Sequence, residues 1–318
     1  MCRKISLSFV FLAIALVLLL PGAPAHAQAT RTWVSGVGDD ANPCTRTAPC
    51  KTFAGAISKT ATNGEINCLD PGGFGAVTIT KSITIDCHEA FASILNAGTN
   101  GINIPFDSFN AADARKTVRL RNISFNGADL GLVAIRILGG ATIAAGVVII
   151  EDCLINGNFG GSARGISDER VAGGKLFVAN TTMRNIGSKG LTIDPGAGTA
   201  GQRIDATLQN VRAESSGFGA TFGNNVRVMI DRSVFSGNGI GIAVQTTLAA
   251  SEANISNSVI SNNGTGVFNA GGTLTIRLAN NDIAFNTTAL SGATQSFGNN
   301  RIQGNGANGT DPTPIAQR

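Results

Sequence analysis

Short apolar segments alternate with polar residues along this chain and return at steps of 19 to 30 residues. Between Ile230 and Ile302 one pattern occurs four times: an apolar residue, any residue, usually Asn, two further residues and another apolar residue. The copies begin at Ile230, Ile255, Leu278 and Phe297, so their steps are 25, 23 and 19 residues. Period-2 alternation predicts short strands, and a repeat of this length predicts one coil of a solenoid.

Four earlier copies, the first beginning at Leu120, extend the pattern towards the N-terminus with steps of 30, 28, 30 and 22 residues. Asp152 and Arg232 occupy the third position in two of the eight copies. Asn tolerates left-handed backbone angles at a tight corner, and its amide can bond to the Asn of the next coil. The other six copies therefore predict a structural ladder of Asn122, Asn180, Asn210, Asn257, Asn280 and Asn299.

The predicted fold is all-β, a single right-handed parallel β-helix of about nine or ten coils with a short N-terminal capping helix. Lys51 to Lys59 is the predicted cap, with Phe53, Ala56 and Ile57 on one face. A solenoid needs such a cover because its open end exposes core residues and unpaired strand edges. The expected boundaries are a lead-in and cap at 28–60, the β-helix at 61–303 and a polar tail at 304–318.

Residues 1–27 have the pattern of a signal peptide. Arg3 and Lys4 precede an apolar run from Ile5 to Leu20, and Ala25-His26-Ala27 is typical of a cleavage site. An uncleaved membrane anchor is the alternative, because the run is slightly long for a signal. No later stretch is long and apolar enough to span a bilayer, so we expect an exported protein, extracellular or periplasmic, with no stable membrane span after cleavage.

Composition agrees with a β-rich chain and excludes one class of partner. The 318 residues include 41 Gly, and only 14% are charged while 43% are hydrophobic. Two of the 24 basic residues lie in the signal segment, which leaves 22 against 20 acidic residues. A nearly balanced charge predicts no nucleic-acid partner.

Five cysteines follow the signal segment. Cys44 and Cys50 are placed to close a small loop, and Cys68 precedes Cys87 by 19 residues, about one coil. Stacked coils lie about 4.8 Å apart, within the Cα separation that a disulfide needs. These four are the candidate disulfide cysteines of an oxidising compartment, and Cys153 is left as a buried repeat position.

The run from Val77 to Ile85, the cap before it and the Asn-centred coils resemble the exported bacterial parallel β-helix repeat proteins of the pectate-lyase-like superfamily. The resemblance covers about residues 31–305. It implies the right-handed β-helix fold but no single activity, because the superfamily includes lyases, hydrolases, epimerases and members without an assigned role.

Candidate chemistry is sparse. His88 is the one histidine after the signal segment, and we expect it to be a polar residue at a strand end. The Gly-His-Gly motif expected of polygalacturonase-like hydrolases does not occur. A carboxylate pair beside an arginine suits acid/base or calcium chemistry, although no motif indicates calcium and no other cofactor is predicted. The candidate catalytic residues, near the longest loops, are Arg136, Asp168, Glu169, Arg170 and Asp194; the alternative is a solvated cluster of loop charges.

Three functions compete. The first is a non-catalytic exported β-helix that presents a polar repetitive surface to a partner, a polysaccharide or another envelope component. The second is a carbohydrate-active enzyme, a polysaccharide lyase, hydrolase or epimerase, that uses the five candidate residues. The third is a structural or self-associating surface protein. The sequence does not decide whether the protein is an enzyme, and it leaves the oligomeric state open.

Overall fold

The computed structural model describes residues 28–140, 146–159, 162–196, 202–245 and 250–317. The signal segment predicted at 1–27 lies outside these residues. Within the described ranges, no helix is long and apolar enough to cross a membrane.

The described chain consists mainly of short strands, with one α-helix and one 3-10 turn. The helix α1 is Phe53–Lys59 and the 3-10 turn is Phe106–Ser108. In chain order the strands are β1 (Ala29–Val34), β2 (Thr60–Cys68), β3 (Gly72–Gly73), β4 (Val77–Thr78), β5 (Ile83–Asp86), β6 (Ala92–Leu95), β7 (Ile102–Pro105), β8 (Thr117–Arg121), β9 (Ile123–Asn126), β10 (Val133–Gly139), β11 (Gly146–Glu151), β12 (Leu154–Asn158), β13 (Arg164–Arg170), β14 (Gly174–Ala179), β15 (Thr182–Ile186), β16 (Lys189–Ile193), β17 (Ile204–Gln209), β18 (Arg212–Glu214), β19 (Phe218–Phe222), β20 (Val226–Asp231), β21 (Val234–Ser236), β22 (Ile240–Val244), β23 (Ser251–Ser256), β24 (Val259–Ser261), β25 (Thr265–Asn269), β26 (Leu274–Ala279), β27 (Asp282–Ala284), β28 (Thr288–Ser291), β29 (Gln295–Ser296), β30 (Arg301–Gln303), β31 (Ala307–Gly309) and β32 (Thr313–Pro314).

These strands form three parallel sheets that wind together as one β-helix. The first sheet has twelve strands in the order β1-β2-β5-β8-β11-β14-β17-β20-β23-β26-β29-β32. The second runs from β3 to β30 and the third from β4 to β31, each with ten strands. Every third strand returns to the same sheet, so the described chain makes ten three-stranded coils. This confirms the predicted fold and the predicted number of coils.

The core lies in the space that the three sheets enclose. In seven of the eight sequence repeats the first apolar residue lies in one inward column of the first sheet. The exception is the last repeat, predicted to begin at Phe297, where Ser296 pairs with Leu278 and Phe297 is one residue out of register. Ile85, Leu120 and Ile150 stack in register in this column. All three are fully buried. Alternate residues point outward, so the period-2 pattern of the sequence separates core from surface.

The corner between the first and second sheets is a single residue in the left-handed conformation. Asn122, Asn180 and Asn210 have φ of 56°, 50° and 52°, and Asp152 and Arg232 adopt the same conformation at 57° and 49°. Because the corner needs only one residue with positive φ, Asn is favoured there without being required.

Side-chain amides connect neighbouring corners. The Nδ2 of Asn210 donates to Asn180 Oδ1 at 2.9 Å, and Asn180 donates to the carboxylate of Asp152 at 3.0 Å. Asn299 differs from the other corner residues, because Gly298 takes the left-handed conformation there at φ 83°. Asn299 still contributes its Oδ1, which accepts the backbone N–H of Asn280 at 2.9 Å.

Helix α1 covers the N-terminal end of the stack. Thr52 is its N-cap, and the Thr52 hydroxyl accepts the backbone N–H of Gly55 at 2.9 Å. Phe53 and Ala56 are fully buried, and the Phe53 ring lies 5.2 Å from that of Phe74. The predicted lead-in also contains a strand of the β-helix, since β1 pairs with β2 in the first sheet.

All four candidate disulfide cysteines are paired. Cys44 is bonded to Cys50 and Cys68 to Cys87. Cys153 is a buried free thiol, and burial raises its pKa to about 12. A thiol in that state does not act as a nucleophile near neutral pH.

The stack continues beyond the boundary expected at residue 303. In the segment predicted as a polar tail, β31 pairs with β28 and β32 pairs with β29. Apolar burial does not hold these strands, because their residues are exposed. Asn305 joins them to the preceding coil, since its Oδ1 accepts the backbone N–H of Asn286 at 3.0 Å. Polar ladders therefore extend the fold where the apolar pattern ends.

Candidate functional site

Two of the five candidate catalytic residues lie inside the β-helix. Asp168 occupies a core column of the third sheet between Ile137 and Ile193, and its side chain is completely buried. Arg170, two residues later on the same strand, is 1% exposed. The guanidinium grips the carboxylate with two bonds, Nε to Oδ1 at 2.9 Å and Nη2 to Oδ2 at 2.7 Å. Neither group can reach a polymer on the surface.

The rest of the Arg170 guanidinium is also satisfied from within. Its Nη1 donates to the carbonyl of Gly146 at 2.5 Å, and Nη2 donates to that of Lys175 at 3.1 Å. The Phe106 ring lies 5.2 Å from its central carbon. A buried charge persists when it is paired and hydrogen-bonded in this way. The pair therefore has a structural role at the end of β13.

This placement corrects the expected grouping of Asp168, Glu169 and Arg170 in one exposed loop. The three residues belong to strand β13, and alternation puts only Glu169 on the outward side. Three consecutive charges are typical of a loop, which is why the sequence suggested one.

Glu169 and Arg136 do meet on the outward face of the third sheet. Arg136 donates to Glu169 through Nε at 3.2 Å and Nη2 at 2.9 Å. Arg164 Nη1 adds a bond of 2.9 Å, and the Ser167 hydroxyl donates at 2.8 Å. Burial pushes the pKa of Glu169 upwards, but the bonds from Arg136 and Ser167 outweigh it and hold that pKa below its usual value. The carboxylate therefore stays ionised near neutral pH and is unsuited to act as a general acid.

Hydroxyl groups form the floor beside this carboxylate. Ser167, Thr192 and Thr221 stand in register on neighbouring strands of the third sheet, and the Thr221 hydroxyl donates to that of Thr192 at 2.8 Å. Although they point outward, these three are at most 3% exposed. Arg164 donates to the Ser167 hydroxyl at 3.0 Å, so the floor positions the charged groups above it.

Asp194, the fifth candidate, lies one coil further along. It follows β16, and its backbone N–H donates to the carbonyl of Asp168 at 2.9 Å. Its exposed carboxylate rests on the next coil, where a Cβ at Gly223 would lie 2.3 Å from Asp194 Oδ1. Gly223 thus leaves the space that the carboxylate occupies.

Lys189 and Arg164 were not expected from the sequence. Lys189 lies on β16, directly opposite Arg164 of the neighbouring strand β13. Burial is the main cause that lowers the pKa of Lys189, the positive charge of Arg164 lowers it further and Asp194 opposes both. Their signal is weak in a single sequence, because each is an isolated basic residue between turn residues. We refer to Arg136, Arg164, Ser167, Glu169, Lys189 and Asp194 as the third-sheet cluster.

No metal site is evident in the described ranges, where no group of three or more His, Cys, Asp or Glu residues is arranged to hold an ion. The third-sheet cluster offers the paired carboxylate of Glu169, two guanidiniums, a half-buried amine and the carboxylate of Asp194, which accepts the backbone N–H of Gly196 at 3.2 Å. Such a set is suited to hydrogen-bonding and charge recognition along the coil axis.

The fold and this cluster define a right-handed parallel β-helix with a polar outward surface. No protein-family model and no curated protein matches the sequence. Among solved structures, the chain is similar to XylC in its complex with xylose, with a TM-score of 0.53 and 10% identity over 85% of this chain and 67% of that chain.

Two further structures are similar at lower TM-scores. The A-module of the Azotobacter vinelandii mannuronan C-5 epimerase AlgE4 has a TM-score of 0.49 at 12% identity, over 80% of this chain and 91% of that chain. The pectate lyase Pel9A has a TM-score of 0.39 at 17% identity, over 90% and 77%. At such identities the likeness concerns the fold alone, and that fold is the right-handed parallel β-helix.

Proposed function

We propose that this chain is an exported β-helix protein that binds a polysaccharide along the outward face of its third sheet without cleaving it. The observation that carries the proposal is that the Glu169 carboxylate accepts hydrogen bonds from three side chains, those of Arg136, Arg164 and Ser167. The candidate carboxylate next to the arginines is committed to ion pairs, and Asp168 is committed to the core. What remains on the surface is a positioned set of charges rather than a free acid and base.

A repeating polymer suits this surface as a ligand. Coils stack at intervals of about 4.8 Å, so polar groups are presented at regular steps along the axis. The similarity to XylC, solved with xylose, supports a sugar ligand. Export by the segment 1–27 is part of the proposal, and two disulfides support an oxidising compartment.

The test uses residues 28–318 against a panel of acidic and neutral polysaccharides, with and without calcium. Retardation in a polysaccharide-containing gel reports binding, and new reducing or unsaturated ends report cleavage. We expect retardation without products, and weaker retardation for Glu169→Gln. Glu214→Gln is the matched control, because Glu214 accepts from Arg212 in a similar pair on the second sheet. Equal retardation of all three proteins would contradict the proposed face.

A second function has one specific observation in its favour. Lys189 is half-buried with a lowered pKa and lies within electrostatic reach of Asp194, an arrangement that favours proton transfer. A polysaccharide lyase that uses Lys189 and Asp194 would cleave the polysaccharide, and an epimerase that uses them would change the configuration of its sugar residues. Products that disappear in Lys189→Met and Asp194→Ala would replace the binding proposal by this one. If neither retardation nor product is seen, sedimentation at increasing concentration tests self-association.

A further inference from the structure

A second polar cleft lies at the N-terminal end of the first sheet, away from the third-sheet cluster. Its volume is about 390 Å³, within the range of small-ligand sites. Trp33 and Asp86 stand in register with Asn67 on its floor, and Arg46 and His88 line its sides. The lead-in and the first coils therefore converge on one cavity.

Trp33 supplies a flat apolar surface in this cleft. The indole is half-buried, and the Arg31 guanidinium lies over one face of its ring, 5.7 Å from the ring centre. Arg31 is held in place by Asn67 at 2.6 Å and Glu65 at 3.0 Å. The face of the indole opposite Arg31 provides a stacking platform for a sugar ring.

The charges of the cleft leave one cation without a counter-charge. Asp86 is bonded to the His88 ring at 2.9 Å and lies 3.6 Å from Arg121, and His88 also lies 3.5 Å from Glu89. Burial raises the pKa of Asp86, but the bonds from His88 and the charge of Arg121 reverse this and keep it lowered. Within the described part of the chain, Arg46 forms no ion pair. An exposed guanidinium is suited to a carboxylate, which it can bind with two parallel bonds.

Both disulfides brace this cleft. Arg46 lies within the loop that Cys44–Cys50 closes, and that loop is tied to Trp33 by backbone bonds of 2.9 Å in both directions. On the other wall, Cys68 lines the cleft and its bond to Cys87 holds the strand end before His88. The side walls are therefore preorganised, which lowers the entropy cost of binding.

From these observations we infer that the cleft binds the carboxylate-bearing residue of an acidic saccharide. The sugar ring stacks on Trp33, its carboxylate pairs with Arg46, and Glu89 and Asn67 accept or donate to its hydroxyls. The inference does not depend on the third-sheet proposal, because none of the residues is shared. It assigns the cleft to a short acidic saccharide or the end of a chain rather than to the length of a polymer.

Trp33 is the chain's single tryptophan and the chain has no tyrosine, so intrinsic fluorescence reports on this cleft directly. Residues 28–318 are titrated with trigalacturonic acid, its methyl ester and sodium acetate at matched ionic strength. We expect a saturable change with the acid, and a Kd raised about tenfold by methyl esterification or by Arg46→Ala. Arg184→Ala, an exposed arginine on the second sheet, serves as the control and leaves the Kd unchanged.

Several outcomes would overturn the inference. One is a titration that does not saturate by about 10 mM. Another is an equal Kd for Arg46→Ala and the wild type. A third is an equal fluorescence response to acetate, which would show that the cleft binds a simple anion and does not recognise a sugar. Reduction of the disulfides is expected to weaken binding. Glu169→Gln is expected to alter gel retardation but not this titration, so the two proposals fail separately.

Discussion

Between Trp33 and Cys87 one disulfide, Cys68–Cys87, joins neighbouring coils, a second closes a loop of the lead-in, and α1 covers the end of the stack. Between Asn238 and Asn305, by contrast, side-chain amides join the coils. In the later coils Asn238, Asn263, Asn286 and Asn305 form a second ladder, nearly buried at its centre, with bonds of 2.9 to 3.1 Å between successive amides. Coils of similar length superpose their corners, so identical side chains can bond to each other. Where the coils are irregular, covalent bonds and a cap perform the same task.

The buried ion pair of Asp168 and Arg170 lies between these two regions. Its disruption has the largest expected effect on the free energy of unfolding. Asp168→Ala leaves the Arg170 guanidinium buried without a counter-charge, and we expect a loss of about 3–5 kcal/mol in the free energy of unfolding. Urea denaturation measures it. The double variant Asp168→Leu with Arg170→Met should recover most of the loss, because it removes both charges. A small effect of Asp168→Ala would show that water reaches the pair.

Removal of the Cys68–Cys87 disulfide tests the covalent region. The bond closes a loop with a sequence separation of 19 residues, and Cys68→Ala with Cys87→Ala should cost about 3 kcal/mol. Denaturation under non-reducing conditions gives the difference. Cys153→Ala keeps both disulfides and controls for the loss of sulfur in the core. If both variants lose the same amount, loop closure contributes nothing.

Removal of one amide tests the ladder region. Asn263→Leu deprives the backbone N–H and the side-chain amide of Asn238 of their shared acceptor, and should cost about 2 kcal/mol. Asn262→Gly is the neighbouring control, because Asn262 is exposed and glycine keeps its φ of 57°. Unfolding monitored by far-UV circular dichroism compares the two. A larger loss for Asn262→Gly would contradict the ladder's role.

Acid should destabilise the N-terminal coils more than the amide-ladder coils, and this is the smallest of the expected effects. Burial raises the pKa of Asp40, Asp86 and Asp113, but hydrogen bonds reverse this and leave each pKa below its usual 3.8. Their stabilisation is present above that pH and is lost as pH falls through the folded-state pKa values. Amides do not titrate, and the surface pair of Asp282 with Arg301 in the later coils contributes little. We therefore expect Trp33 fluorescence to change at a higher pH than the circular dichroism of the whole stack. Coincident transitions would show that the stack unfolds as one unit.

The sequence predicted the fold because each coil repeats the same local requirement. A corner residue of positive φ and alternating apolar residues are local signals, and they located Asn122 and the inward column at Leu120. The same reading missed the ladder of Asn238, although its steps of 25, 23 and 19 residues match those of the first repeat. Burial of an amide leaves no mark in a single sequence.

The candidate site was predicted only in part, because the charge of a residue does not show whether its side chain points outward or into the core. Arg136 and Glu169 meet as the stacked coils suggested, but Asp168 and Arg170 belong to the core. Continuing the alternation of β13 for four residues beyond Ile166 would have placed both inward. The cleft at Trp33 was beyond prediction, since nothing local shows that the lead-in forms a strand of the first sheet.

The two ladders also run in opposite directions. At the outer corner the amide of Asn280 points to the preceding coil, where it bonds to Asn257 at 2.8 Å, while in the inner ladder Asn263 donates to Asn286 in the following coil at 2.9 Å. Each row is a chain of aligned dipoles that polarise one another. Because the rows are antiparallel, their moments oppose. A third row, in which Asn281 donates to Asn300 of the following coil at 2.9 Å, runs in the same direction as the inner ladder, so each later coil is bonded through its amides to the coil before it and to the coil after it.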